Sequence, residues 1–166
     1  MKHFLLNAAQ KAATGYTDLF VIQPAVDFTQ STDNTDQTLT LDALEFGDIV
    51  ENRALIEIRS ALGTTAEGTG VPSADFALTI ALGVTGATSQ FIGASALAAA
   101  GKATAAKTAY ATANSAAAYC TPSGGKNILA TLDITDADGS LAEVDYGEIW
   151  IWMDINRQSV RHAIQV

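Results

Sequence analysis

Between Asn127 and Ile155 the chain alternates apolar and polar residues twice, on either side of a short acidic turn. Ile128, Ala130, Leu132 and Ile134 share one parity, with Leu129, Thr131 and Asp133 between them. After Thr135-Asp136-Ala137-Asp138-Gly139-Ser140 comes Gly147 to Ile155, in which Ile149, Ile151, Met153 and Ile155 share a face. A period of two places successive side chains on opposite sides of a strand, so each run buries one face and wets the other. Gly139 supplies the positive φ that a tight turn asks for. Two antiparallel strands of this kind need a second layer to cover their apolar face.

The same period recurs upstream. Phe76, Leu78, Ile80, Leu82 and Val84 fall on one face of a strand expected over Ala74 to Val84. Ala54, Ile56, Ile58, Ser60 and Leu62 do the same between Arg53 and Leu62, with Glu57 and Arg59 opposite. Leu19 to Gln23 and Gln37 to Asp42 read as further strands. Pro24 ends the first of these or puts it at an edge, because proline donates nothing to a sheet ladder. Gly47 marks a bend, and Gln90 to Gly93 a short strand. About eight short strands with frequent turn signals predict a mainly β chain, a β-sandwich possibly of jelly-roll type.

Three segments depart from this pattern. Residues 1–18 carry Ala8, Ala9, Ala12 and Ala13, and predict a short helix or an extended N-terminal arm ending near Gly15. That arm either reaches over a neighbouring subunit or frays. Residues 63–73 hold three Gly and one Pro, either a contact loop or a plain hairpin tip. In Ala94 to Ala118, 14 of 25 residues are Ala. Propensity favours one or two helices over 97–118, lying across the sheets, although Gly101 breaks the run. The competing reading is a pair of irregular strands. Residues 19–166 are otherwise expected to form one sandwich domain.

Composition narrows the function classes. Eighteen acidic and nine basic residues give a net charge of −9. Nucleic acid and anionic membrane are therefore disfavoured as partners, since both are bound by Lys and Arg. No apolar segment approaches the ~20 residues of a membrane helix. Met1 to Asn7 lacks a secretory core, so the chain is expected to stay in the cell that makes it. Cys120 is the single cysteine, which forbids an internal disulfide.

Reaction chemistry is not evident. If Asp136, Asp138 and Gly139 are set as the third, fifth and sixth positions of a calcium loop, Ile134 falls at the first, where a ligand is required. A solvated hairpin turn is the expected reading there, with a looser cation site as the alternative. Gly101-Lys102 and Gly125-Lys126 lack the earlier Gly and the following Ser or Thr of a phosphate loop. His3 and His162 lie near opposite ends of the sequence, and nothing pairs either with Cys120, which reads as a packed or half-exposed thiol. No catalytic, cofactor-binding or metal-binding residue is assigned, and no cofactor is expected.

Trp150 and Trp152 alternate with Ile149 and Ile151. If the Ile face is core, the Trp pair meets the second surface, where exposed indoles mark an interface. The alternative is a strand buried on both faces beneath the Ala-rich segment. A carbohydrate platform is a weaker version of the first reading.

The sequence from Phe76 to Val84, the Gly-Ala-Thr turn, the Ser/Ala-rich run, the Ile128–Ile134 strand and Gly-Glu-Ile-Trp-Ile-Trp together resemble the head decoration, or cement, proteins of tailed bacteriophages. The resemblance covers roughly residues 74–155 and is one of pattern and composition. It implies a non-enzymatic virion protein, made in the host cytoplasm and bound to the outer capsid surface. It also implies the major capsid protein and a second or third copy of the chain as partners. The candidate contact residues are Phe4, Leu5 and Leu6 of the arm, Val71 of the 63–73 loop, and Trp150 and Trp152. The alternatives are another phage structural part, such as a tail component or shell subunit, and a carbohydrate-binding module.

Overall fold

The computed structural model describes residues 1–64, 77–98, 107–110, 119–120, 125–135 and 139–158. In chain order these form β1 (Lys2–Leu5), α1 (Ala8–Thr14), β2 (Asp18–Ile22), α2 (Pro24–Asp27), β3 (Gln37–Leu44) and β4 (Ile49–Gly63). Then come β5 (Ala77–Val84), β6 (Ala87–Ala98), β7 (Lys107–Tyr110), β8 (Tyr119–Cys120) and β9 (Lys126–Thr135). A single 3-10 turn (Leu141–Glu143) leads into β10 (Tyr146–Asn156).

The strands make two antiparallel sheets, as the alternation predicts. One runs β1-β2-β10-β4-β7, with β8 also on β4; the other runs β3-β9-β5-β6. Four of the pairings are nested along the chain: β5 with β6, β4 with β7, β3 with β9 and β2 with β10. The chain therefore runs as one long doubled ribbon whose halves lie alternately in the two sheets.

The inward faces meet in one apolar cluster. Ile149, Ile151, Met153 and Ile155 of β10 and Ala54, Ile56, Ile58 and Leu62 of β4 come from the first sheet. Leu78, Ile80, Leu82 and Val84 of β5 and Ile128, Ala130, Leu132 and Ile134 of β9 come from the second. These are the faces that alternation assigns, and each fully buried Ile or Leu contributes about 1.5–3 kcal/mol. Ser60 is the exception and is exposed. Ile58 pairs with Ile149 but Ser60 pairs with Glu148, so Arg59 is an extra residue on β4. Such a bulge reverses the parity that follows it. A second shift, between the Ser60–Glu148 and Gly63–Tyr146 pairs, returns Leu62 to the core.

The N-terminal segment does not stand off as an arm. β1 pairs with β2 over Lys2–Val21 to Leu5–Asp18, which makes it an edge strand of the first sheet. α1 begins at a capping box, where the Asn7 side chain accepts from the Gln10 backbone and Gln10 accepts from that of Asn7. It stops at Gly15, whose φ of 76° suits a left-handed cap. Pro24 ends β2 as expected, by starting α2, but β2 lies between β1 and β10 and is not an edge.

The helical expectation for 97–118 fails wherever residues are described. Leu97 and Ala98 close β6, Lys107–Tyr110 is strand β7 on β4, and Tyr119–Cys120 is strand β8. The irregular-strand alternative fits these pieces: β6 carries three register shifts against β5, and β7 one against β4. Pairing to existing strands outweighs the intrinsic preference of Ala. β6 is also longer than the strand expected at 90–93, because Ala87 already pairs with Val84.

Candidate functional site: the outer face of the first sheet

Residues with the parity opposite to the core form the outer face of the first sheet. Across its strands one row holds Lys2, Val21, Trp150 and Glu57, and the next holds Phe4, Leu19, Trp152 and Leu55. The Trp pair thus lies on the second surface, as the Ile face requires. Leu6, Leu19 and Val21 are buried there and form a second cluster, with Tyr16, Trp150 and Trp152 half-buried against it. Among the described residues, cover over Trp152 comes from the N-terminal segment, with the Tyr16 ring 6.2 Å away.

Both indoles are satisfied. The Trp150 N–H donates to Glu148 Oε1 at 2.5 Å, and the Trp152 N–H donates to Glu57 Oε2 at 3.0 Å. The two rings meet edge to face at 5.5 Å. The Arg59 guanidinium sits 4.5 Å above the Trp150 ring and 3.8 Å from Glu57. Arg53 repeats the arrangement, 5.1 Å over the Tyr16 ring and 3.4 Å from Asp154. Burial pushes the Tyr16 hydroxyl above its ordinary pKa, against the opposing pull of Arg53. The sequence places Glu57 and Arg59 on the outward face without a role, and does not single out Tyr16 or Arg53. The signal was present in β4, where Arg53, Leu55, Glu57 and Arg59 share the outward parity.

An apolar groove of about 490 Å³ opens beside Trp150. Its walls include Phe4, Leu5, Leu6 and Trp150, with Lys2, Gln10 and Glu148 as polar lining. Four of the six candidate contact residues are therefore brought to one place. Leu6 is buried there, whereas Phe4 and Leu5 are 46% and 68% exposed. Trp152 sits deeper in the same cluster, under Tyr16, and Val71 lies outside the described residues.

A second cluster joins the two sheets. His3 of β1 contacts Asp18 of β2 at 2.8 Å and stacks on Phe20 at 4.3 Å. Asp18 is fully buried, and its Oδ1 accepts from Arg157 Nη2 at 2.5 Å. Asp42 of β3 brings Oδ2 within 2.8 Å of the same nitrogen, an ionic contact without hydrogen-bond alignment. His3, Asp18 and Asp42 have the spacing of metal ligands. The guanidinium lies between the carboxylates and supplies the positive charge itself. Burial alone would lower the Arg157 pKa, but its hydrogen bond to Asp18 and the charges of Asp18 and Asp42 raise it. His3 is thus committed to Asp18 at one end of the sheet, while Cys120 lies on β8 beyond β4. Two strands lie between β1 and β4, so the separation exceeds ~14 Å. His162 lies outside the described residues.

The acidic turn falls largely outside the described residues. Asp136 and Asp138 are outside the described residues, and Asp133 is exposed. Partial loss of hydration at the sheet surface, together with the charge and a hydrogen bond of Asp36, raises the Asp133 pKa.

No family model, no curated protein and no solved structure matches the chain.

Proposed function

We propose that this chain is a non-enzymatic structural protein of a virion, which attaches to the outside of a capsid shell and ties neighbouring shell subunits together. The observation that carries the reading is the nested pairing of β5–β6, β4–β7, β3–β9 and β2–β10. We read that winding as a jelly roll, an architecture used by viral capsid proteins, lectins and cupins. The packing favours the first of these. A cupin works inside its sandwich, whereas here Phe20, Ile56, Ile80, Phe91 and Ile128 fill the interior. A sugar platform offers open indole faces, whereas Arg59 lies over one face of Trp150 and Tyr16 packs against Trp152. The net charge of −9 suits a surface protein that avoids the packaged nucleic acid.

A second reading follows from the same winding: the chain is a shell subunit. One experiment separates the two. Purified chain is mixed with emptied, expanded shells of the virus that encodes it, and the shells are pelleted. A surface protein co-pellets saturably, at a fixed ratio to the shell subunit. A chain left in the supernatant at saturating concentration contradicts attachment, and one that assembles closed particles unaided is the shell itself.

A further inference from the structure

We infer that the groove beside α1 is a homotypic interface, in which two copies of this chain pack about a two-fold axis through the outer faces of their first sheets. The inference stands apart from the virion reading, since it rests on the surface of the isolated chain.

Three observations lead to it. First, α1 is seven residues long and buries none of them. Helices this short are marginal in water, and those in proteins persist by packing a face. Here Ala8, Ala9, Ala12 and Ala13 stand in solvent beside an apolar groove. Second, knob and hole lie side by side. Phe4 and Leu5 project from β1 at 46% and 68% exposure, on the rim of the groove they help to line. A surface that carries both parts is complementary to its own two-fold copy, which defines an isologous contact.

Third, the charges select a second copy as occupant. The chain as a whole carries −9, so most approaches of two copies are repulsive. The outer face is balanced, with Lys2, Arg53 and Arg59 against Glu57, Glu148 and Asp154. Arg53–Asp154 and Arg59–Glu57 are already paired within the chain, which lowers the cost of covering them. The remaining two, Lys2 and Glu148, both line the groove. Two-fold packing brings the Lys2 of each copy toward the Glu148 of the other. β1 and β2 each present two outward residues and β10 and β4 four, so with ~4.8 Å between strands and ~6.7 Å between rows the flat patch is roughly 400 Å². The relief of the side chains and α1 extend it toward the ~800 Å² per partner of a stable dimer.

Sedimentation velocity on the purified chain from 1 to 100 µM tests this. The expected species has twice the 17.2 kDa chain mass. Leu5→Glu and, separately, Phe4→Glu each place a carboxylate in the groove and raise the dimer dissociation constant at least tenfold. Phe46→Glu, at a side chain 71% exposed in the β3–β4 turn, leaves it unchanged. Near-ultraviolet circular dichroism checks that each variant stays folded, and the two groove variants guard against a fold defect in either. A wild-type chain that is monomeric at 100 µM overturns the inference, and so does a dimer that survives both folded groove variants. Equal weakening by Phe46→Glu overturns it too.

Discussion

Arg157 reaches carboxylates from both sheets at once, Asp18 on β2 and Asp42 on β3. Its removal leaves the buried Asp18 with His3 and Thr17 as its side-chain partners among the described residues. Breaking a buried ion pair from one side costs about 3–5 kcal/mol. Arg157→Ala is therefore expected to lose that much in urea unfolding, and a loss below ~1 kcal/mol would show that the cluster is solvated. Asp133 makes the opposite prediction. Its carboxyl has a raised pKa in the fold, through partial loss of hydration and through Asp36. The protonated form is thus favoured by folding, so its contribution is full below the ordinary carboxylate pKa and is lost as pH rises through the raised one. Asp133→Asn keeps the neutral form at every pH. It should be slightly more stable than wild type at pH 7, and the gap should close below about pH 4. A gap that persists at pH 3 contradicts this origin. Neither site was legible in the sequence: Asp18 is 139 residues from Arg157, and Asp36 is 97 from Asp133. Only the strand pairing brings them together.

At the scale of elements, strands whose faces differ were readable, and those set by their neighbours were not. β5, β9 and β10 alternate cleanly and carry the parities expected of them. β6 and β7 lie in Ala-rich sequence with little contrast between faces, so helix propensity dominated the reading while strand pairing decided the structure. Gly83 shows how tight that pairing is. Val84 pairs with Ala87, yet Leu82 pairs with Ile92, so β6 bulges against β5 at this point. A Cβ on Gly83 would stand 2.0 Å from the Ala87 carbonyl oxygen and 2.4 Å from the Thr88 carbonyl carbon. Both are backbone atoms, so the hairpin must shift as a unit. Gly83→Ala is expected to cost about 2–4 kcal/mol in chemical denaturation, within the range of overpacking and backbone strain. A change under ~0.5 kcal/mol would mean that the bulge relaxes freely. β1 escaped the alternation test for another reason: four residues are too few to display a period, and its place beside β2 depends on contacts from His3 and Leu6.

Over the whole molecule, a β-sandwich with the expected inward faces was legible, because a core of this size demands long-range consistency of parity. The nested order of the strands was not, since period-two patterns give faces and leave partners open. The same limit applied to the candidate contacts. The sequence suggested Phe4, Leu5, Leu6 and the two Trp separately; the β1-β2-β10 order puts Phe4, Trp150 and Trp152 on one face, and the end of β1 brings Leu5 and Leu6 to the same groove. That face, with its groove, is the one on which the inferred pairing of two copies rests. Cryo-electron microscopy of the virus particle proposed to carry this chain is the decisive measurement. Sandwiches are expected outside the shell, at a fixed ratio to its subunits, paired through α1 and the Trp150 face. Sandwich density forming the shell wall itself, or none on the particle, would contradict this.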